Sequence, residues 1–237
     1  AIYCARHVGL KAGIPIDVPA VTINRLCGSG IEAVAMAARL VKLGEARFVL
    51  AGGTENMSQA PYWIRGVRGE MFFRFGGNLQ AEDSLFVALK DPYTNLFMAQ
   101  CAENCARKYS VTRKEQDEFA LVSHKRGAAA VTSGVFDPEI VPVKTKTSEV
   151  RRDDHIKPDT TFEKLQSRPP AFGKDGTVTA GNASGIVDGA ATVVISSERE
   201  AVGAGLKPIG RILEYAAVGV EPELMGIGPI PAIRKVL

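Results

Sequence analysis

The sequence predicts an α/β fold, on three observations. Residues 18–53 read as a β-rich run, a tight glycine turn, a helix and a second apolar run, which is the order of a βαβ unit. Phe48-Val49-Leu50-Ala51 is continuously apolar, the pattern of a strand covered on both faces. A second apolar run, Ala190 to Ser196, returns after a long stretch of different character.

Residues 1–10 read as the end of a helix, and Gly13-Ile14-Pro15 as a turn. Val18 to Ile23 predicts a short strand. Past Asn24 to Gly30, apolar residues recur at Ile31, Val34, Ala38 and Val41, spacings of three and four that predict a helix burying that face. Gly44 closes the helix, and Gly52-Gly53 is expected to end the strand that starts at Phe48. Residues 61–95 mix Pro, Gly, aromatic and charged residues with little periodicity. Met98 to Lys108 and Thr112 to Val131 predict two helices, the second opening on a capping box of Thr112 and Glu115. Residues 134–170 are polar and proline-bearing, with runs Lys144-Thr145-Lys146 and Arg151-Arg152-Asp153-Asp154, which suits an excursion from the main sheet. The glycine-rich stretch Thr177 to Gly185 precedes the Ala190 strand. A short helix over Glu198 to Gly205 and a strand over Ile209 to Tyr215 complete the reading. No internal repeat is visible.

Composition narrows the function. The 237 residues suffice for one large or two smaller domains, and 46% hydrophobic with 23% charged residues is ordinary for a globular protein. A net charge of +3 gives no footprint for nucleic acid. The four cysteines, at 4, 27, 101 and 105, show no CxxC spacing and accompany three histidines, which argues against a metal site. They do not form a disulfide scaffold either, so a reducing compartment is expected. There is no signal peptide pattern, and no apolar run approaches the ~18 residues of a transmembrane segment. The first residue is Ala1 and the last five read as an uncapped helix, so both ends are expected to be cut.

Cys27 is the leading candidate for chemistry. It lies between a β-rich run and a helix, in the turn Gly28-Ser29-Gly30. A thiolate at a helix N-terminus meets the positive end of the dipole. Glycines on both sides of Ser29 let a substrate approach the backbone, whose N–H groups could hold an oxyanion. The same pattern also suits a small buried residue in a tight turn, and the residues alone leave both readings open. Cys101 and Cys105, four apart among Ala and Met, read as helix core. His7, His124 and His155 fall in no motif suited to activating Cys27. Gly52 to Asn56 is expected as a loop at the sheet edge where α/β sites gather, or as a plain turn. Thr179 to Gly189 could wrap a ligand through backbone N–H groups, or be an ordinary loop.

Four segments together resemble the thiolases, along essentially the whole chain. Asn24-Arg25-Leu26-Cys27-Gly28-Ser29-Gly30 is similar to their nucleophile motif, and Gly52-Gly53-Thr54-Glu55-Asn56-Met57-Ser58 to their second signature. Gly176 to Ser184 is similar to the pantetheine-contacting loop, and Met225 to Ala232 to the segment opening the C-terminal half. Ser58 to Tyr62, Glu82 to Leu85 and Met225 to Ala232 turn the likeness toward the mitochondrial-type 3-ketoacyl-CoA members. Phe97 stands where short-chain members tend to carry His, and a bulky apolar group suits a longer acyl chain.

The resemblance implies a layered α/β/α/β/α fold. Residues 1–61 and 187–207 would form the N-terminal domain, 62–186 an inserted loop domain that binds coenzyme A, and 208–237 the start of the C-terminal domain. It implies an acyltransferase that cleaves 3-ketoacyl-CoA with CoA through an acyl-Cys27 thioester, with the Cys27 N–H in an oxyanion hole. Ser184 and Ala180 would contact the pantetheine, with Phe172, Met98 and Leu89 walling that arm. Lys157 and Thr160 would lie near the nucleotide, although relatives commonly have Arg at the Lys157 position, where Lys offers only a point charge. Coenzyme A would be substrate, with no permanently bound cofactor. A homodimer or homotetramer in the mitochondrial matrix follows from the family.

The activating His of a Gly-His-Pro motif, the Asn of an Asn-Glu-Ala-Phe motif and the second catalytic Cys of thiolases have no counterpart among these residues. The chain is therefore expected to be partial, to fold poorly alone and to show no turnover alone. An acetoacetyl-CoA thiolase, a thiolase-like acyl-CoA carrier without catalysis, and a condensing ketoacyl synthase are the rival readings. The Gly52 to Ser58 and Gly176 to Ser184 segments weigh against the last.

Overall fold

A computed structural model describes residues 2–65 and 79–237. Residues 66–78, part of the weakly periodic stretch, lie outside the described residues. Chain order begins with α1 (Cys4–Lys11), α2 (Ser29–Lys42) and β1 (Phe48–Asn56). The middle holds β2 (Tyr62–Ile64), β3 (Ala81–Asp83), α3 (Ser84–Ala88), α4 (Met98–Tyr109) and α5 (Arg113–Ser133). There follow β4 (Val143–Lys144), β5 (Glu149–Val150), α6 (Phe162–Gln166), β6 (Asp188–Ser196), α7 (Glu198–Gly203) and α8 (Pro229–Val236). Two compact units result, Ala1–Asn56 with Asp188–Tyr215, and Met57–Val187 with Ala216–Leu237.

In the first unit β1 pairs with β6, antiparallel, from Phe48 opposite Ser196 to Asn56 opposite Asp188. α2 packs against both strands. The predicted helix forms, but Ala35 and Ala37 are its buried residues, while Ile31 is 77% exposed. Small residues let the helix backbone sit close to the strands, so the deepest positions are alanines. Gly44, at φ 74°, ends the helix as expected.

Three strand expectations change. β1 does not stop at Gly52-Gly53 but runs through them to Asn56, because β6 supplies ladder partners over the whole length. Gly52 is needed for that pairing, since a Cβ there would lie 2.4 Å from the Ala191 carbonyl oxygen. β1 is not covered on both faces: Phe48 is 40% and Leu50 43% exposed, with β6 its one partner strand among the described residues. Val18 to Ile23 joins no ladder, so no βαβ unit forms among the described residues. Residues of α1 hold it instead: the Arg6 guanidinium donates to the Val18 carbonyl at 2.5 Å, and Thr22 Oγ1 accepts from the Ala5 N–H at 3.2 Å. Ile209 to Tyr215 likewise forms no strand, with Ile209 fully open to solvent. β-propensity alone makes no strand without a neighbour.

The second unit is built around α4 and α5. Ser110, at φ 55°, breaks α4, and Gly134, at φ 68°, ends α5. Between them Thr112 and Glu115 form the predicted capping box: Thr112 Oγ1 accepts from the Glu115 N–H at 3.2 Å, and the Glu115 carboxylate accepts from the Thr112 N–H at 2.7 Å. α6 packs on α5, and α4 packs on a 3₁₀ segment, Pro222–Ile227. Residues 134–170 hold the short hairpin β4–β5 and α6. Among the described residues no helix is long and apolar enough to cross a membrane.

The Thr112 N–H and hydroxyl hold the Glu115 carboxyl below its ordinary value of 4.5. A group with a lowered folded-state value stabilises above that ordinary value and loses its contribution as pH falls through the lowered one. Thr112→Ala is expected to lower unfolding free energy by about 1 kcal/mol in urea titrations. Glu115→Gln should cost stability at pH 7, with the deficit closing as pH drops through and below the carboxylate range.

Candidate functional site

Cys27 sits on a turn that several local bonds hold in an uncommon shape. Leu26, just before it, has φ 47°, a left-handed conformation that a branched residue rarely adopts. The Asn24 side-chain oxygen accepts from the Leu26 N–H at 2.8 Å. Ser29 Oγ accepts from the Arg25 N–H at 2.8 Å and donates to the Leu26 carbonyl at 2.7 Å. The Gly28 and Ser29 N–H groups donate to the Arg25 and Leu26 carbonyls, both at 3.0 Å. An ion pair from Arg25 to Glu32, at 3.2 Å, fastens the turn to α2. The outcome is an exposed Cys27 thiol two residues ahead of the first residue of a 14-residue helix. Because Gly28 and Ser29 use their N–H groups inside the turn, those groups are not free to hold an oxyanion.

Gly52 to Asn56, expected as a loop, is strand, and Thr54 Oγ1 donates to the Gly189 carbonyl at 3.2 Å. Cys101 is 1% exposed, and burial pushes its thiol up from the ordinary value. Cys105 is half-buried on the same helix.

The seven other predicted site residues all lie in the second unit. Leu89 and Met98 are joined by the Met98 N–H donating to the Leu89 carbonyl at 3.0 Å. Their bridge is set by Asp91, whose carboxyl is lowered by the Tyr93 N–H and then the Thr94 hydroxyl. The Phe97 ring lies between Phe86 and Phe172, with centroids at 4.6 and 5.8 Å. Ala171 donates its N–H to the Val178 carbonyl at 2.8 Å, tying the Phe172 limb to the glycine-rich loop. Ala180 and Ser184 are exposed on that loop. His155 presses on its far end: a Cβ at Gly185 would lie 2.1 Å from His155 Cε1. Lys157 and Thr160 form one turn, with the Thr160 hydroxyl donating to the Lys157 carbonyl at 2.7 Å. The Lys157 ammonium donates to the Asp154 carbonyl at 2.8 Å.

The loop does not offer the open row of N–H groups that its glycines suggested. The Thr179 N–H goes to the Asn182 side-chain oxygen at 2.8 Å, and the Gly181 N–H to Thr179 Oγ1 at 3.1 Å. The Asn182 and Ala183 N–H groups go to the Thr179 carbonyl. Two buried carboxylates grip it from the helices. Glu103, on α4, accepts from the Thr177 N–H at 2.7 Å, the Val178 N–H at 2.8 Å and the Thr177 hydroxyl at 2.9 Å. Asp117, on α5, accepts from the Asn182 amide at 3.0 Å and from Arg113 Nε at 2.7 Å. Sequence reasoning missed Glu103, Asp117 and Asn182. The available signal was an acidic residue on an apolar helix face, with Glu103 three residues before buried Ala106. Among the described residues no group of His, Cys, Asp and Glu is arranged to hold a metal ion.

An exposed cysteine on a strained turn before a helix is an arrangement that covalent chemistry at sulfur can use. The chain belongs to the thiolase family: the model of the thiolase N-terminal domain matches residues 1–199. Mitochondrial 3-ketoacyl-CoA thiolase of Homo sapiens is 48% identical over 100% of this chain and 60% of its own length. An acetyl-CoA acetyltransferase of Cupriavidus necator is 44% identical over 98% of this chain and 60% of its own. The structure of human mitochondrial 3-ketoacyl-CoA thiolase in complex with CoA superposes with a TM-score of 0.94 at 49% identity, over 99% of this chain and 59% of that one. The chain thus spans about 60% of the length of the curated relatives it matches.

Exposure orders the thiols. Brief treatment of the protein with iodoacetamide should label the Cys27 peptide first and leave Cys101 unmodified, as read by peptide mass spectrometry. Equal labelling of both would contradict this geometry.

Proposed function

We propose that the protein is an acyltransferase that cleaves 3-ketoacyl-CoA with coenzyme A, giving acetyl-CoA and a shortened acyl-CoA in fatty acid β-oxidation. The observation that carries this reading is the exposed Cys27 thiol on its locked turn at the start of α2. The Cys27 thiolate adds to the 3-keto carbon of the substrate. The bond between carbons 2 and 3 breaks, its electron pair stays on carbon 2, and protonation there releases acetyl-CoA. The acyl group remains on Cys27 as a thioester until the thiol of a second CoA displaces the Cys27 thiolate. A covalent thioester divides one difficult transfer into two easier ones. The Cys27 N–H is the group proposed to meet the oxyanion. The proton-transfer groups are proposed to lie in the two-fifths of the relatives' length that this chain does not span.

Ser184 and Ala180 are proposed to contact the pantetheine, with Phe172, Met98 and Leu89 along its side and Lys157 with Thr160 near the nucleotide. The exposure of Ala180 and Ser184 supports this, as does the bond that joins Leu89 to Met98. Coenzyme A acts as substrate, and no permanently bound cofactor is assigned. In domain terms we assign 1–61 and 187–207 to the N-terminal domain, 62–186 to the inserted CoA-binding loop domain and 208–237 to the start of the C-terminal domain. A homodimer or homotetramer and a mitochondrial matrix location complete the proposal. The location draws on relatives named as mitochondrial.

A second reading, acetyl-CoA acetyltransferase, draws on the relatives of that name. Phe97, where short-chain members tend to carry His, supports longer acyl chains over it. With the full-length protein, Cys27→Ser is expected to cut thiolysis by about a thousandfold or more. Wild type treated with 3-ketoacyl-CoA in the absence of free CoA should gain the mass of one acyl group, on the Cys27 peptide. No adduct would sink the catalytic reading, and turnover confined to C4 substrates would favour the acetyltransferase.

A further inference from the structure

Glu103 carries a charge into a buried place, where an apolar residue of similar size would avoid the desolvation cost. Its carboxylate makes contacts of one kind, with three donors at Thr177 and Val178, 2.7 to 2.9 Å away and 74 or 75 residues along the chain. Two of the donors are backbone N–H groups, so the grip acts on the path of the chain and not only on a side chain. Gln116 reinforces it, donating to the Thr177 hydroxyl at 2.9 Å. Asn182 carries the constraint onward: its amide donates to the Thr177 carbonyl at 2.9 Å, and its oxygen accepts from Thr179. Ala180 and Ser184 are exposed on the loop thus shaped, whereas Val178 and Thr179 are buried.

We propose that Glu103 is a positioning residue for the coenzyme A arm, fixing the loop that presents Ala180 and Ser184. This rests on the reading of those two residues as pantetheine contacts. Glu103 itself touches no substrate. It acts by holding the loop in its bound shape before the ligand arrives, which removes an ordering cost from binding. Its effect falls on affinity for CoA and not on the reactivity of Cys27, whose turn is held by bonds among residues 24–32.

The test uses the full-length protein with three variants. Glu103→Ala should raise KM for CoA, and Kd by calorimetry, about tenfold, with kcat and the iodoacetamide rate at Cys27 within about twofold of wild type. Glu103→Gln should stay within about threefold in KM, because its carbonyl oxygen still accepts from the two N–H groups and its amide can donate to the Thr177 hydroxyl. If the alanine variant fails to fold, Glu103→Asp carries the test. It keeps the charge but shortens the reach by one methylene, and should raise KM about threefold. An unchanged KM in the alanine or aspartate variant, or a fall in kcat at constant KM, would overturn the inference while leaving the CoA reading intact. Wild type that fails to bind CoA would overturn that reading, and the inference with it.

Discussion

Asp117 is completely enclosed, and its two carboxylate oxygens serve different partners: Arg113 on its own helix and Asn182 on the loop. A charge in such a place costs several kcal/mol in desolvation, and it persists only where every lone pair finds a donor. Arg113 then extends the network, donating to the carbonyls of Leu165 and Arg168 at 2.7 and 3.1 Å. Leu165 is the buried residue of α6. One ion pair therefore fixes the end of α6, the first turn of α5 and the returning limb of the 177–185 loop. Glu103 adds α4 and the incoming limb. Among the described residues, the helices and loop of the second unit have few large apolar side chains fully buried, so this polar network supplies much of their mutual fit. The gain is specificity of shape as much as stability, since partly satisfied alternatives are penalised heavily.

The Cys27 turn obeys a different economy. A left-handed Leu26 costs about 1–3 kcal/mol, and such strain survives only when surrounding bonds over-determine it. Asn24, Ser29 and the Gly28 and Ser29 N–H groups do so within six residues. The result holds a thiol out of the helix start, where a Cys in regular helix would instead lie along the surface of the preceding turn. Strain placed next to the reactive atom is consistent with a site that must expose it.

This contrast explains what could be read from the sequence. The start of α5 and the end of α2 were legible because their signals lie within a few residues: Thr112 with Glu115, and Gly44. The Cys27 turn was legible for the same reason, as its bonds span two to four residues. Val18 to Ile23 and Ile209 to Tyr215 misled because a strand is a relation between segments, and β-branched residues without a partner segment form no ladder. Gly52-Gly53 misled in the opposite sense. Gly52 marks close approach of a paired strand, not its end. The grip of Glu103 and Asp117 on the loop was invisible because those contacts join residues 65 to 75 apart. The family motifs flagged the loop, but not what holds it.

Locality of the constraints also decides how the two parts can vary. A turn fixed by neighbours in sequence keeps its shape when remote residues change, so thiol presentation is insulated from substitutions elsewhere. A loop fixed by Glu103 and Asp117 responds to changes on α4 and α5 that touch no ligand. Small shifts in helix packing would move the exposed Ala180 and Ser184 without disturbing Leu26 or Ser29. The loop can therefore change shape through second-unit helices while the Cys27 turn keeps its own bonds. This physical asymmetry accords with a family whose relatives of this chain carry two activity names, thiolase and acetyltransferase, at comparable identity.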